Sequence, residues 1–140
     1  MKNKKYLALY IFIAIILLVC IFPSKHGFSI GGAHVNIEIA DTDAKRTLGL
    51  SGRESLAPDS GLLFVFEKPQ LASIWMKDMK FSIDIVWIDE NLRVINIKEG
   101  ATPQSFPETF TSPQNALYVL EIPAGFVEKN KIKIGDSVVL

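Results

Sequence analysis

Apolar residues follow three rhythms along this chain, and each predicts a different kind of element. From His34 to Ala40 they alternate strictly, with Val35, Ile37 and Ile39 on one side and His34, Asn36 and Glu38 on the other. Period-two alternation predicts a half-buried strand. Leu62-Leu63-Phe64-Val65-Phe66 is a continuous apolar run, predicting a strand covered on both faces and closed by Pro69. Short strands are further predicted over Leu71–Met76, Ser82–Ile88, Leu92–Lys98, Ala116–Ile122 and Ser137–Leu140. Asp89-Glu90-Asn91 forms a turn between two of them. Asp41 is placed to cap a short helix ending near Leu48, with Asp43 at the positive end of its dipole and Gly49 as its stop. A helical turn fits Phe126–Asn130. The prolines at 103, 107 and 113 make Gly100–Asn115 a long loop, of the sort that carries function or moves. The pattern as a whole is mostly β: a compact barrel or sandwich of six or seven short strands with one or two short helices.

The third rhythm is at the N-terminus. Lys2, Lys4 and Lys5 precede seventeen uncharged residues, Tyr6–Phe22. As a helix these would span about 26 Å, close to the roughly 30 Å of a bilayer's hydrocarbon. The residues that follow, Phe22-Pro23-Ser24-Lys25, fit a signal-peptidase site poorly. Residues 1–24 therefore read as an uncleaved signal anchor, 25–33 as a linker and 34–140 as one domain. The lysines orient the anchor with its N-terminus in the cytoplasm, making this a single-pass membrane protein with an extracytoplasmic domain. Cys20, the only cysteine, lies in the anchor. Its surroundings resemble a lipoprotein box only faintly, because Val19 is bulky. No intramolecular disulfide is available, so the domain rests on its core.

Charge narrows the functions. The formal net charge is zero, but Lys2, Lys4, Lys5 and Lys25 stand before the domain; the remaining 11 basic residues face 15 acidic ones, a net of −4. A mildly acidic domain is a poor partner for nucleic acid. Two histidines, His26 and His34, and no domain cysteine leave no metal-ligand spacing, and Asp41-Thr42-Asp43 reads as a helix cap rather than a calcium loop. No cofactor is implied. A Ser-His-Asp arrangement has only His34 to draw on.

The charged residues among the apolar runs form the candidate site. Trp75 and Lys77, in Ile-Trp-Met-Lys-Asp-Met-Lys, join Arg53, Asp84 and Glu121 as candidate ligand-binding residues. A tryptophan flanked by polar groups stacks on a sugar ring or holds a peptide side chain. Trp87, inside an apolar strand, reads as core. Asp84 and Glu121 are alternatively a catalytic carboxylate pair, or structural groups paired with Arg46, Arg53 or Lys77, Arg53 and Glu121 in particular making one buried pair that fixes the sheet.

The blocks Arg46-Thr47-Leu48-Gly49-Leu50, Arg53, Gly61–Phe66, Trp75-Met76-Lys77, Ile83-Asp84-Ile85, Tyr118–Glu121, Pro123-Ala124-Gly125 and Gly135-Asp136 resemble, in order, the Domain of Unknown Function 192 family. The resemblance spans about His34 to Leu140. Ser51, Asp78-Met79 and Ser82 depart from it, standing where the family more often has Met, Asn-Thr and Pro. The resemblance implies a compact, mostly β domain, often exported or membrane-anchored, and brings no established activity or cofactor. The function expected is therefore a membrane-anchored extracytoplasmic module that binds an envelope saccharide or peptide, and catalysis is not favoured. The alternatives are a carboxylate-dependent hydrolase or lyase and a structural or assembly partner of a membrane protein.

Overall fold

The computed structural model describes residues 27–140. The expected anchor, its apolar span 6–22 and Cys20 lie outside the described residues. Among the described residues, ten strands and two short α-helices follow one another in the order β1 (Ser29–Ile30), β2 (Ala33–His34), β3 (Asn36–Ala40), α1 (Asp43–Leu48), β4 (Ser60–Gln70), β5 (Ser73–Trp75), β6 (Ile83–Ile88), β7 (Val94–Ala101), β8 (Thr109–Thr111), β9 (Ala116–Pro123), α2 (Phe126–Asn130) and β10 (Val138–Val139), with one 3-10 turn, Pro103–Ser105, before β8.

The centre is an open five-stranded sheet, ordered β3-β4-β9-β6-β7. The expected barrel does not form, because β3 and β7 end the sheet and do not meet. Only β3 and β4 run parallel, through a crossover that contains α1; the other pairs are antiparallel. A parallel pair cannot be joined by a tight turn, and this one uses residues 41–59 to make the return.

Both faces of the sheet are covered, which explains why β6 is buried at every position. One face packs Leu63, Val86, Ile88, Leu120 and Ile122 against Phe28, Ile30, α2 and β10. On this side β1 pairs with β2 and with β10 in a three-stranded sheet. Residues 28–33, expected as linker, thus fold as a hairpin with Phe28 and Ile30 in the core. Its turn uses Gly31 and Gly32 at positive φ, a conformation that favours glycine. The other face packs Leu62, Phe64, Ile85, Trp87 and Val119 against Leu50, Ile74 and Met76. There β5 pairs with β8, so the proline-containing segment expected as one long loop instead contains a strand.

Smaller differences have local causes. β4 continues through Pro69 to Gln70, and its pairing with β9 shifts between Val65 and Gln70. A bulged stretch tolerates a residue without an N–H. Thr42, not Asp41, caps α1, its hydroxyl accepting from the Lys45 N–H; Asp41 instead pairs with Lys45 at 2.7 Å. Burial does not follow the alternation throughout the predicted strand His34–Ala40, of which Asn36–Ala40 forms β3. Val35 is buried, whereas Ile39, on the sheet's edge, is 50% exposed.

Candidate functional site

The face carrying Trp87 has a cleft, and its parts follow from the crossover. Gly49 ends α1 at φ 52° and ψ −133°, a conformation essentially confined to glycine. The chain then turns down so that Leu50 enters the core. Two hydrogen bonds staple this turn to the turn after β5: Ser51 Oγ donates to the Lys77 carbonyl, and the Gly52 N–H donates to the Asp78 carbonyl, both at 2.8 Å. Trp87 Nε1 donates to the Ala72 carbonyl at 2.9 Å, anchoring the start of β5 to the sheet. α1 and β5 thereby become the two walls.

Trp75 stands on the β5 wall, 46% exposed. The Lys77 Nζ lies 5.6 Å from its ring centroid, and the Phe106 ring meets it edge-on at 6.2 Å. Arg46, on the α1 wall, donates to the Val65 carbonyl, pairs with Asp43 at 2.5 Å and lies over the Phe66 ring at 5.5 Å. Two open grooves meet here, of about 550 and 440 Å³, and Thr47 and Trp75 line both. Between them a narrow recess of about 50 Å³ runs inward.

Glu121 lines that recess. It comes from the middle of β9, on the same face as Val119, and is 4% exposed. Its Oε2 is buried with no hydrogen-bond partner among the described residues. An unsatisfied buried polar atom is uncommon and costly, which makes it informative. Burial pushes the Glu121 carboxyl up to about 8, against the pull of the Arg53 guanidinium. Near neutrality the group is therefore mostly a protonated acid, able to donate one hydrogen bond and accept others.

The residues singled out from sequence divide into three groups. Trp75, Lys77 and Glu121 gather around the cleft. Arg53 lies beside it: its guanidinium holds Glu38 bidentately, at 2.7 and 2.8 Å, and attracts Glu121 only at longer range. The pairing registers Glu38 with Leu62 and Leu62 with Glu121 place the two glutamates in one cross-strand row on this face. The expected Arg53–Glu121 pair is thus replaced by Arg53–Glu38, and that pairing holds the Glu38 carboxyl below its ordinary value. Asp84 does not join the site. It pairs in register with Ile122, one position along from Glu121, and so projects through the opposite face. There its two oxygens accept from the Gly100 N–H at 2.9 Å and the Val127 N–H at 3.0 Å, tying the end of β7 and the start of α2 to β6. A catalytic pair of Asp84 and Glu121 has no common pocket.

Glu38 and Ser51 contribute to this arrangement without having been expected to, whereas Gly49 ends α1 as its position predicted. Glu38 carried a signal, as a charged residue in the alternating β3; that it shares a row with Glu121 depends on strand order. Among the described residues no group of three His, Cys, Asp or Glu side chains comes together to hold a metal.

The family model for DUF192, described as an uncharacterized ACR, matches residues 27–140. A UPF0127 protein of Thermococcus gammatolerans is 32% identical over 107 residues, covering 75% of this chain and 66% of that protein. One from Pyrococcus horikoshii is 32% identical over 104 residues, covering 73% of this chain and 84% of that protein. The match thus spans just under two thirds of the length of the Thermococcus relative. Among solved structures, a protein of unknown function from Novosphingobium aromaticivorans superposes with a TM-score of 0.76 at 28% identity, over 85% of this chain and 90% of its own. A Sinorhizobium meliloti protein, provisionally described as a transcription regulator, has a TM-score of 0.70 at 32% identity, over 73% of this chain and 78% of its own.

Proposed function

The chain belongs to the DUF192 family, and from that premise we propose that its domain is a binding module whose ligand, an envelope saccharide or peptide, lies in the cleft between α1 and β5. One observation carries this reading: an unpartnered carboxyl, Glu121, lines a recess whose lip is the exposed Trp75 indole. Binding sites are concave and equipped with a few polar groups that fix orientation, and aromatic side chains at their edges supply stacking area. The two grooves give an extended ligand room on either side of the recess.

The same proposal places the domain outside the cytoplasm, tethered through residues 6–22. A nucleic-acid role, in line with the description of the Sinorhizobium protein, has little support here: the domain is acidic, and Arg46 and Arg53 are engaged with Asp43 and Glu38. A second reading, assembly with another protein, draws on one feature of the opposite face. An apolar groove of about 680 Å³ runs past Ile37, Ile39, Val65, Tyr118 and Leu140.

The test is isothermal titration calorimetry of the full chain with soluble oligosaccharides and peptides, repeated with Trp75→Ala. Saturable binding that the substitution abolishes supports the cleft. Binding that Trp75→Ala leaves unchanged, or none with either class, refutes it.

A further inference from the structure

We propose that the recess beside Trp75 is a subsite for the acetamido group of an N-acetylated amino sugar. This rests on the cleft being the ligand site and goes further by naming what the narrowest part of it takes.

Size is the first constraint. About 50 Å³ is far too small for a pyranose ring. At about 10–15 Å³ for each water-sized position, it holds about four heavy atoms. An acetamido substituent has four: a methyl carbon, a carbonyl carbon, an oxygen and a nitrogen.

Chemistry is the second. Leu50, Phe64, Ile74 and Met79 line the recess with apolar surface that suits a methyl group. Glu121 is the one acidic group among its lining residues, and its Oε2 has no partner. A protonated carboxyl offers an O–H donor and a carbonyl acceptor side by side. An amide offers the complementary pair, a C=O acceptor and an N–H donor. A free amino sugar would bring an ammonium close to Arg46 and within the field of Arg53, with Lys77 at the lip. An acetylated one brings no charge.

Position is the third. Trp75 lines the recess and both flanking grooves. A sugar ring stacked on its indole would direct a ring substituent inward while neighbouring residues of the saccharide run along the grooves.

The full chain is titrated with three soluble trisaccharides of one backbone geometry: tri-N-acetylchitotriose, its de-N-acetylated counterpart and cellotriose. An acetylated peptide is the fourth arm. The expected result is binding of the acetylated trisaccharide about tenfold or more tighter than either of the others, the factor for one buried hydrogen-bonding group left unmatched. Glu121→Gln, which keeps a donor and an acceptor, preserves the preference; Glu121→Leu erases it. If all three trisaccharides bind alike and Trp75→Ala abolishes binding, the subsite is refuted and the cleft stands. Binding of the peptide alone refutes the saccharide while leaving the cleft. If no arm binds, both fall. The comparison of ligands on the unaltered chain decides the matter even where a Glu121 variant does not fold.

Discussion

Replacing Glu121 by glutamine should stabilise the protein at alkaline pH and leave it nearly unchanged in acid. The carboxyl sits at about 8 in the folded chain, against an ordinary value of 4.5. Burial is the main cause, and Arg53 opposes it. The sign follows from proton counting. Between those two values the folded state holds a proton that the unfolded state has released, so stability falls as pH rises through the window. The slope approaches about 1.4 kcal/mol per pH unit, and the whole gap corresponds to on the order of 4–5 kcal/mol. Glutamine has nearly the same shape and cannot ionise. Urea denaturation of the wild-type chain and Glu121→Gln, followed by the fluorescence of the buried Trp87, gives the difference between them at pH 5, 6, 7 and 8. Groups common to both proteins cancel to first order in that difference. Near pH 5 the two should agree to within about 1 kcal/mol, and by pH 8 the variant should be the more stable by about 3–5 kcal/mol. A difference that stays constant with pH, or one that moves toward the wild type as pH rises, would refute a buried and unpartnered Glu121.

Other substitutions separate the site from the frame. Asp84→Asn should destabilise by about 2–4 kcal/mol, because an amide cannot accept from both the Gly100 and Val127 N–H groups; equilibrium denaturation measures this, and ligand affinity at the cleft should not change in the variant that remains folded. Trp75→Ala should cost under about 1 kcal/mol of stability, as expected for a half-exposed side chain outside the core, while abolishing the binding described above. Arg53→Met removes the cation that draws the Glu121 carboxyl down, so the pH at which Glu121 titrates, followed by NMR of its side chain, should rise. Gly49→Ala should lower stability by about 1–3 kcal/mol in thermal unfolding, since its backbone conformation is one that other residues adopt only under strain.

The elements were legible where a local pattern decided them. The alternation at Val35, Ile37 and Ile39 marks β3, the apolar run at Leu62–Phe66 marks β4, and Phe126–Asn130 forms the helical turn that its sequence suggests. The open sheet was not legible, because closure depends on which strands become edges and no residue encodes that alone. The hairpin at Ser29–His34 was missed for a related reason: two-residue strands have no rhythm, and Ile30 is buried only because β10 arrives from far along the chain. Among the candidate site residues, residue type alone marked Trp75, Lys77 and Glu121. It could not separate Asp84 from Glu121, since both are acids in apolar strands. A single step of register in β6 and β9 sends one into a knot of backbone hydrogen bonds and the other toward the cleft.

The one parallel pairing in the sheet has a bearing on how such domains diversify. Antiparallel neighbours can be joined by tight hairpins that leave little chain to vary, whereas the return from β3 to β4 brings nineteen residues, 41–59, across the sheet. That segment supplies one bank of the cleft while adding only Leu50 to the buried core between its flanking strands. Substitutions or length changes in the rest of it can reshape that bank of the cleft without altering the five-stranded platform, whose central strand, β9, carries Glu121.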